Sequence, residues 1–388
     1  MSRRTRAGPA GARRQRAIVP GWRRAGDVGE VATVRAYNRT AGQIVGQTSS
    51  QSLPAAHDLT INTVPDPAVI LREVGLRDGL QAVSRTLPTA HKLAWITAAH
   101  ASGLRELEVG SFVPPRLLPQ LADTAELVAF ARSLPGLTTS VLVPNLKGAQ
   151  RAIDAQADVM LLPLSASLAH SLANLRQTPD AVVAEIARIR DLRDAAGSVC
   201  ILEVGISTAF GCTIQGVVEP DEVLRLLQAA LDAGAERVGL ADTVGCADPL
   251  HVGCADPLHV GCADPLHVGR LFAHARALAG DKLNCGHFHD TRGLGLANTV
   301  AAWQTGVSRF DACLGGIGGC PHAPGASGNV ATEDAAYLFA SMGVATGVDV
   351  DALIALRAQL AKWLDGEPLH GNIWRAGLPK TLLVKATA

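Results

Sequence analysis

From about Ala68 onward the apolar residues gather into short runs separated by longer amphipathic stretches. The runs are VILREVG, LRELEVGS, TTSVLVP, DVMLLPLS, VCILEVGIS, RVGLAD, LNCGHFHD and RFDACLGG. Each has the length of a strand and is bounded by turn or helix signals. The stretches between them carry helix signals: Thr178 and Pro179 make an N-cap followed by proline at the first helical position. Val182, Ile186 and Ile189 then share one face, with Arg193 snorkelling at its edge. Gly103, Gly234 and Gly306 sit where a helix must stop and a strand begin. Eight such alternations over roughly 270 residues predict an α/β fold of the (β/α)8 TIM-barrel type. A doubly wound sheet would want a Gly-x-Gly-x-x-Gly turn after the first strand, and none is present. The expected organisation is a leader over 1–67, a barrel over 68–345 interrupted by an octad repeat at 244–267, and a C-terminal helical extension over 346–388.

In such a barrel the chemistry gathers where strands end and the following loops begin. The first run ends in Arg77 and Asp78, and the second contains Glu108. The sixth ends in Asp242, and the seventh carries His287 and His289. A glycine-rich loop with Cys320 and Asn329 follows the eighth. Residues two apart on a strand point the same way, so the two imidazoles project together at the mouth. With Asp78 as a third ligand and the Asn329 amide oxygen as a fourth, they make a nitrogen and oxygen set suited to Mg, Mn, Co or Zn. The bland alternative is two histidines hydrogen-bonded in a polar barrel end. Cys285 lies on the same face but deeper, as a core thiol.

Arg77 is a cation placed to hold a carbonyl oxygen on which charge develops, and an ion pair with Glu108 is compatible with that role. Cys320 is either an acid–base group with a lowered pKa or an inert loop thiol.

Composition narrows the classes. Apolar residues make up 48% of the chain, enough for a large core, while 35 basic side chains balance 35 acidic ones. Zero net charge and 4% aromatics argue against nucleic-acid binding. No apolar run reaches the length of a membrane span. Eight cysteines, three of them in the repeat, are too sparse for a secreted disulfide scaffold. These features predict a soluble, reduced, cytoplasmic protein. The balance is uneven, however: residues 1–50 hold ten arginines against Asp27 and Glu30, a local +8 that leaves −8 for the rest. The leader reads as a disordered tail or an over-long start, and a transit peptide to the mitochondrial matrix is the alternative.

LREVGLRDGLQ, ELEVGSFVPP, VPNLKG, HFHDTRGLGLAN and GGIGGCPHAPGASGNVATED resemble the hydroxymethylglutaryl-CoA lyase family of DRE-TIM metallolyases, in order from about Val69 to Ile354. The resemblance implies metal-dependent retro-Claisen cleavage of a 3-hydroxyacyl-CoA to acetyl-CoA and a keto product. The substrate it points to is 3-hydroxy-3-methylglutaryl-CoA, with a place in leucine degradation and ketone-body formation. By this resemblance Asp78, His287, His289 and Asn329 match the metal ligands, Mg or Mn being the expected ion. Arg77 matches the enolate-steadying arginine, Cys320 the catalytic cysteine, and Glu108 the glutamate that orients Arg77. Asp242 joins the catalytic set at its strand end. Asn145 and Lys147 look like the loop that meets the CoA arm. An acyl-CoA is the expected partner, with neither nucleic acid nor membrane, and a homodimer is left open.

Ala82 and Val83, Arg292 to Leu294, and His322 depart from the lyase pattern near the expected acyl position. They keep (R)-citramalyl-CoA or a bulkier branched hydroxyglutaryl-CoA as alternative substrates. VGCADPLH occurs three times in succession from Val244 through His267, without a family counterpart. The period fits no solenoid, and Pro249, Pro257 and Pro265 oppose regular structure, so the repeat reads as a duplicated loop-to-helix junction. Its place after Asp242 also allows a catalytically silent barrel.

Overall fold

The computed structural model of the chain describes residues 68–243, 264–318 and 328–380. The leader, most of the octad repeat and the loop containing Cys320 and His322 lie outside the described residues. Every expected run carries a strand. They are β1 (Ile70–Glu73), β2 (Glu106–Ser111), β3 (Thr138–Leu142), β4 (Val159–Ser165), β5 (Ile201–Ser207), β6 (Arg237–Asp242), β7 (Leu283–Phe288) and β8 (Arg309–Ala312). They form a closed barrel in chain order, and β1 meets β8 in parallel through Leu71 with Phe310 and Arg72 with Asp311.

Helices follow the strands as the pattern required. The Thr178 side chain accepts from Ala181 N at the start of α5 (Pro179–Ala195). Val182, Ile186 and Ile189 are buried on that helix, and Arg193 pairs with Glu236 at 2.6 Å from its edge. Gly103 has φ +96°, and a Cβ there would lie 2.0 Å from Gly347 O, so only glycine fits that helix end. The helix after β6, α7 (Pro265–Ala279), begins inside the third octad. Asp264 Oδ1 caps it by accepting from Leu266 N at 2.9 Å and His267 N at 3.0 Å. After α9 (Thr332–Ser341) comes α10 (Val350–Trp363), which packs against α1 (Thr89–Ala101), with His91 and Trp363 stacked at 5.1 Å.

Alternation along the strands sorts side chains to two faces. Leu71, Leu107, Val109, Leu202, Val204, Phe310 and Ala312 face outward and are buried under the helices. The positions between them face the barrel axis and are charged. Barrel interiors are commonly filled with branched apolar side chains, but this one holds three tiers of arginine–carboxylate pairs. Deepest, Arg309 grips Glu106 with two bonds of 2.7 and 2.6 Å. Above it, Arg72 contacts Glu203 at 2.8 Å and Asp311 at 2.7 Å. At the mouth, Arg77 Nε lies 2.7 Å from Glu108. All of these pairs are buried. In the Arg309–Glu106 pair each charge answers only the other among the described ion pairs, so removing one member there would strand a charge and destabilise the barrel by about 3–5 kcal/mol.

Candidate active site

Beyond β1 the chain makes one turn of π-helix, Gly75–Gly79, with the N–H groups of Arg77, Asp78 and Gly79 all directed at Val74 O. Such turns are rare and recur at functional sites. This one turns two consecutive polar side chains into the mouth, where Arg77 Nη1 lies 2.5 Å from Asp78 Oδ1. From β7 and the residue just past it, His287 Nε2 and His289 Nε2 approach Asp78 Oδ2 to 4.0 and 3.8 Å. The ligand atoms of these three residues lie within 4.8 Å of one another. Asn329 closes the group by donating from Nδ2 to Asp78 Oδ2 at 2.6 Å and to Ile317 O at 3.2 Å.

The electrostatics suit a cation. Burial opposes charge on Asp78, but Arg77 and the two histidines outweigh it and hold the carboxyl below its usual range. Burial, reinforced by His287, pushes His289 down to about 4, so its ring is neutral and ligand-ready near pH 7. Burial also lowers His287, but its hydrogen bond to Asp311 reverses the balance and leaves it above the usual value. Glu108 is raised to about 7 by burial even beside Arg77. The buried Asn329 Oδ1 accepts no hydrogen bond among the described residues. A carboxylate, two imidazoles and a bare amide oxygen, with no thiolate among them, fit a divalent ion.

The expected residues do not all meet. Asp78, Arg77, His287, His289 and Asn145 line one cavity of about 810 Å³, whose wall also takes in Leu117 and Leu118 after β2 and Leu175 and Arg176 after β4. Asn145 also caps α3 (Leu146–Asp154) by accepting from Gly148 N, while Lys147 is exposed on that helix and is not part of the lining. Ala241 and Thr243 line the cavity, whereas Asp242 between them is buried outside its wall. Cys320 lies outside the described residues, in the connection between Gly318, which lines the cavity, and Asn329. The departures at Ala82, Val83 and Arg292 to Leu294 were expected near the acyl group. None of them lines the cavity, because the π-turn and the β7 end present the residues before them to the mouth instead.

Three contributors escaped the sequence reading. Gln81 Nε2 holds Asp78 Oδ1 at 3.0 Å, and Asp311 Oδ2 meets His287 Nδ1 at 3.0 Å. Arg72 in turn steadies Asp311. For Arg72 and Asp311 the available signal was charge inside apolar strand runs, since a buried charge demands a partner; Gln81 carried no such signal.

The HMGL-like family model matches residues 68–255 and 252–360, its two segments meeting in the second octad. The hydroxymethylglutaryl-CoA lyase of Bacillus subtilis (strain 168) is 34% identical, over 78% of this chain and 94% of that protein. The (R)-citramalyl-CoA lyase of Chloroflexus aurantiacus is 37% identical, over 80% of this chain and 95% of its own length. A solved HMG-CoA lyase from Acenitobacter baumannii, in complex with coenzyme A and 3-methylmalate, superposes with a TM-score of 0.71 at 37% identity, over 80% of this chain and 95% of that one.

Proposed function

The chain belongs to the HMGL-like family of carbon–carbon lyases, and from that premise we propose that it cleaves 3-hydroxy-3-methylglutaryl-CoA to acetyl-CoA and acetoacetate. The observation that carries this reading is the position of Asp78. One of its oxygens meets the Arg77 guanidinium and the other faces His287 and His289, so a cation-binding cluster and a fixed positive charge share one carboxylate.

In the reaction the C3 hydroxyl loses its proton, the bond between C2 and C3 breaks to leave a ketone, and the electron pair passes to the thioester as an enolate. Protonation at carbon then gives acetyl-CoA. A divalent ion held by Asp78, His287, His289 and Asn329, with Mg or Mn the preferred ions, supplies Lewis acidity at the substrate oxygens. Arg77 is positioned to stabilise the enolate oxygen, and the ion pair with Glu108 fixes its guanidinium. Cys320 serves as the proton-transferring group, and Asp242 supports the site from behind the wall. Asn145 and Lys147 receive the CoA arm.

A second substrate, (R)-citramalyl-CoA, is favoured by the Chloroflexus aurantiacus relative, whose 37% identity exceeds the 34% of the Bacillus subtilis lyase. No helix among the described residues is long and apolar enough to cross a membrane. We assign the protein to the cytoplasm, or to the mitochondrial matrix if the leader acts as a transit peptide. The test is acetyl-CoA release from both esters with added Mg or Mn. Release from the first supports the main reading, and release from citramalyl-CoA alone replaces it. Release from neither leaves a silent barrel.

A further inference from the structure

Beneath the histidines, the barrel interior departs from what packing alone requires. Strand register sets Pro163 beside Gly205, Gly205 beside Gly239, and Gly239 beside Cys285, a row running from β4 to β7. Cys285 precedes His287 by two residues on the inward face, so this row lies one step below the proposed metal cluster. Two adjacent glycines stand where bulky branched side chains usually fill a barrel.

At position 205 nothing demands glycine. Gly205 is not among the residues with positive φ. A Cβ there would meet only Leu161 Cδ1, at 3.5 Å, an ordinary van der Waals contact. The missing side chain therefore leaves room rather than relieving a clash. The cavity extends into that room, walled by Leu142, Leu161, Pro163 and Ala241 and floored by Arg72 and Glu203.

Resting on the lyase reading, we propose that this chamber receives the C3 branch of the substrate. The preferred esters are then 3-hydroxy-3-alkylglutaryl-CoA compounds with ethyl to butyl branches rather than methyl. C3 of such a substrate carries a hydroxyl, a carboxymethyl group, the thioester-bearing methylene and the branch. The hydroxyl and carboxylate are the oxygen donors suited to the Asp78 and histidine cluster. The thioester arm must leave through the mouth, since coenzyme A extends to solvent. The branch is the group left to turn inward, against the Leu142, Leu161 and Pro163 wall. A methyl group leaves that wall untouched and forgoes its dispersion contacts. The floor sets the upper limit: the buried Arg72–Glu203 ion pair, 2.8 Å apart, closes the chamber. A chain long enough to push past that floor would have to separate the pair and strand a buried charge.

The test uses the full chain loaded with Mg and a series of methyl, ethyl, propyl, butyl and isohexenyl esters, read as kcat/KM relative to methyl. Each methylene up to butyl should raise the ratio about fourfold, and isohexenyl should fall below butyl. Gly205→Val should lower the butyl-to-methyl ratio by about tenfold or more, with Gly205→Ala between it and the wild type. Leu161→Ala should raise the ratio, so the proposal does not hang on one variant folding. A wild-type ratio below one for ethyl, or a ratio that none of these substitutions moves, would overturn the chamber while leaving the lyase reading intact. Absence of cleavage of any ester, methyl included, would overturn the lyase reading and the chamber with it.

Discussion

Asp311 Oδ2 lies 3.0 Å from His287 Nδ1, which leaves Nε2 as the nitrogen facing Asp78. The same carboxylate receives Arg72 Nε at 2.7 Å on its other oxygen. The imidazole is thus oriented by a residue itself anchored in the middle ionic tier. Carboxylate–histidine pairs of this kind fix the ring and raise its basicity toward a metal.

Asp311→Asn keeps the shape and removes the charge. Metal affinity should weaken by roughly 10–100-fold, read by titrating activity and by calorimetry with Mn. Arg72 keeps Glu203 as a partner, so the melting temperature should fall only modestly. Unchanged metal affinity would mean that His287 is not held through Asp311.

His289→Ala removes one imidazole from the cluster without touching an ion-pair tier. Activity should fall by about 10³-fold or more, because Lewis-acid stabilisation contributes several kcal/mol to such reactions. Metal content of the purified protein should fall with it, while circular dichroism stays unchanged. Wild-type metal content and turnover would remove His289 from the ligand set.

Much of this site was legible because its signals are local. The His-x-His spacing on β7 and the adjacent Arg77 and Asp78 place their side chains by strand alternation and a single turn, within a few residues. The ionic tiers were not legible in that way. Arg72 and Asp311 stand 239 residues apart in sequence, and no periodicity pairs them before the barrel closes β1 against β8. The π-turn was hidden too, since five-residue helical turns have no distinct apolar period. Gly205 and Gly239 read as ordinary strand glycines until register placed them side by side beneath the histidines.

Arg77→Met should lower kcat far more than it raises KM, since the guanidinium is assigned to charge that appears only in the transition state. Folding should survive, because Glu108, titrating at about 7, can take a proton once its partner is gone. Equal changes in kcat/KM and KM, with kcat constant, would make Arg77 a ground-state binding group instead.

Glu73 ties β1 to the loop after β8, with its carboxylate accepting from Gly75 N, Leu314 N and the Thr332 hydroxyl. Burial raises it to about 7, so the folded chain binds this proton more tightly than the unfolded chain does. Its contribution to stability is fully present below the ordinary glutamate value and is lost as pH rises through about 7. Glu333, also buried and raised to about 7, acts with the same sign. The melting temperature should therefore decline from mildly acidic to mildly alkaline pH. Glu73→Gln should flatten part of that decline, the Thr332 hydroxyl reversing to accept from the amide. An unaltered slope in the variant would exclude Glu73 as a source.

The octad repeat can be tested with a deletion whose product is unambiguous. Removing Val252 to His267 leaves one VGCADPLH followed by Val268, the same chain that results from removing either other pair of copies. The surviving copy therefore supplies the groups now seen at the start of α7: an aspartate cap in the place of Asp264, a proline at the first helical position, and a histidine in the place of His267, which packs edge-on against Phe210 at 5.5 Å. Nothing described in the fold depends on the extra copies, and a longer loop costs little, about 0.6 kcal/mol of closure entropy per doubling. The melting temperature should stay within a few degrees. The repeat joins β6 to α7 directly after Asp242 and Thr243, and Thr243 lines the cavity. Displacing groups there by about 1 Å can cost 10²-fold in rate, so the shortened chain should turn over substrate as fast as the natural one or faster. Loss of cleavage in a deletion variant that still melts cooperatively near the original temperature would make the repeat a working part of the site rather than a tolerated duplication.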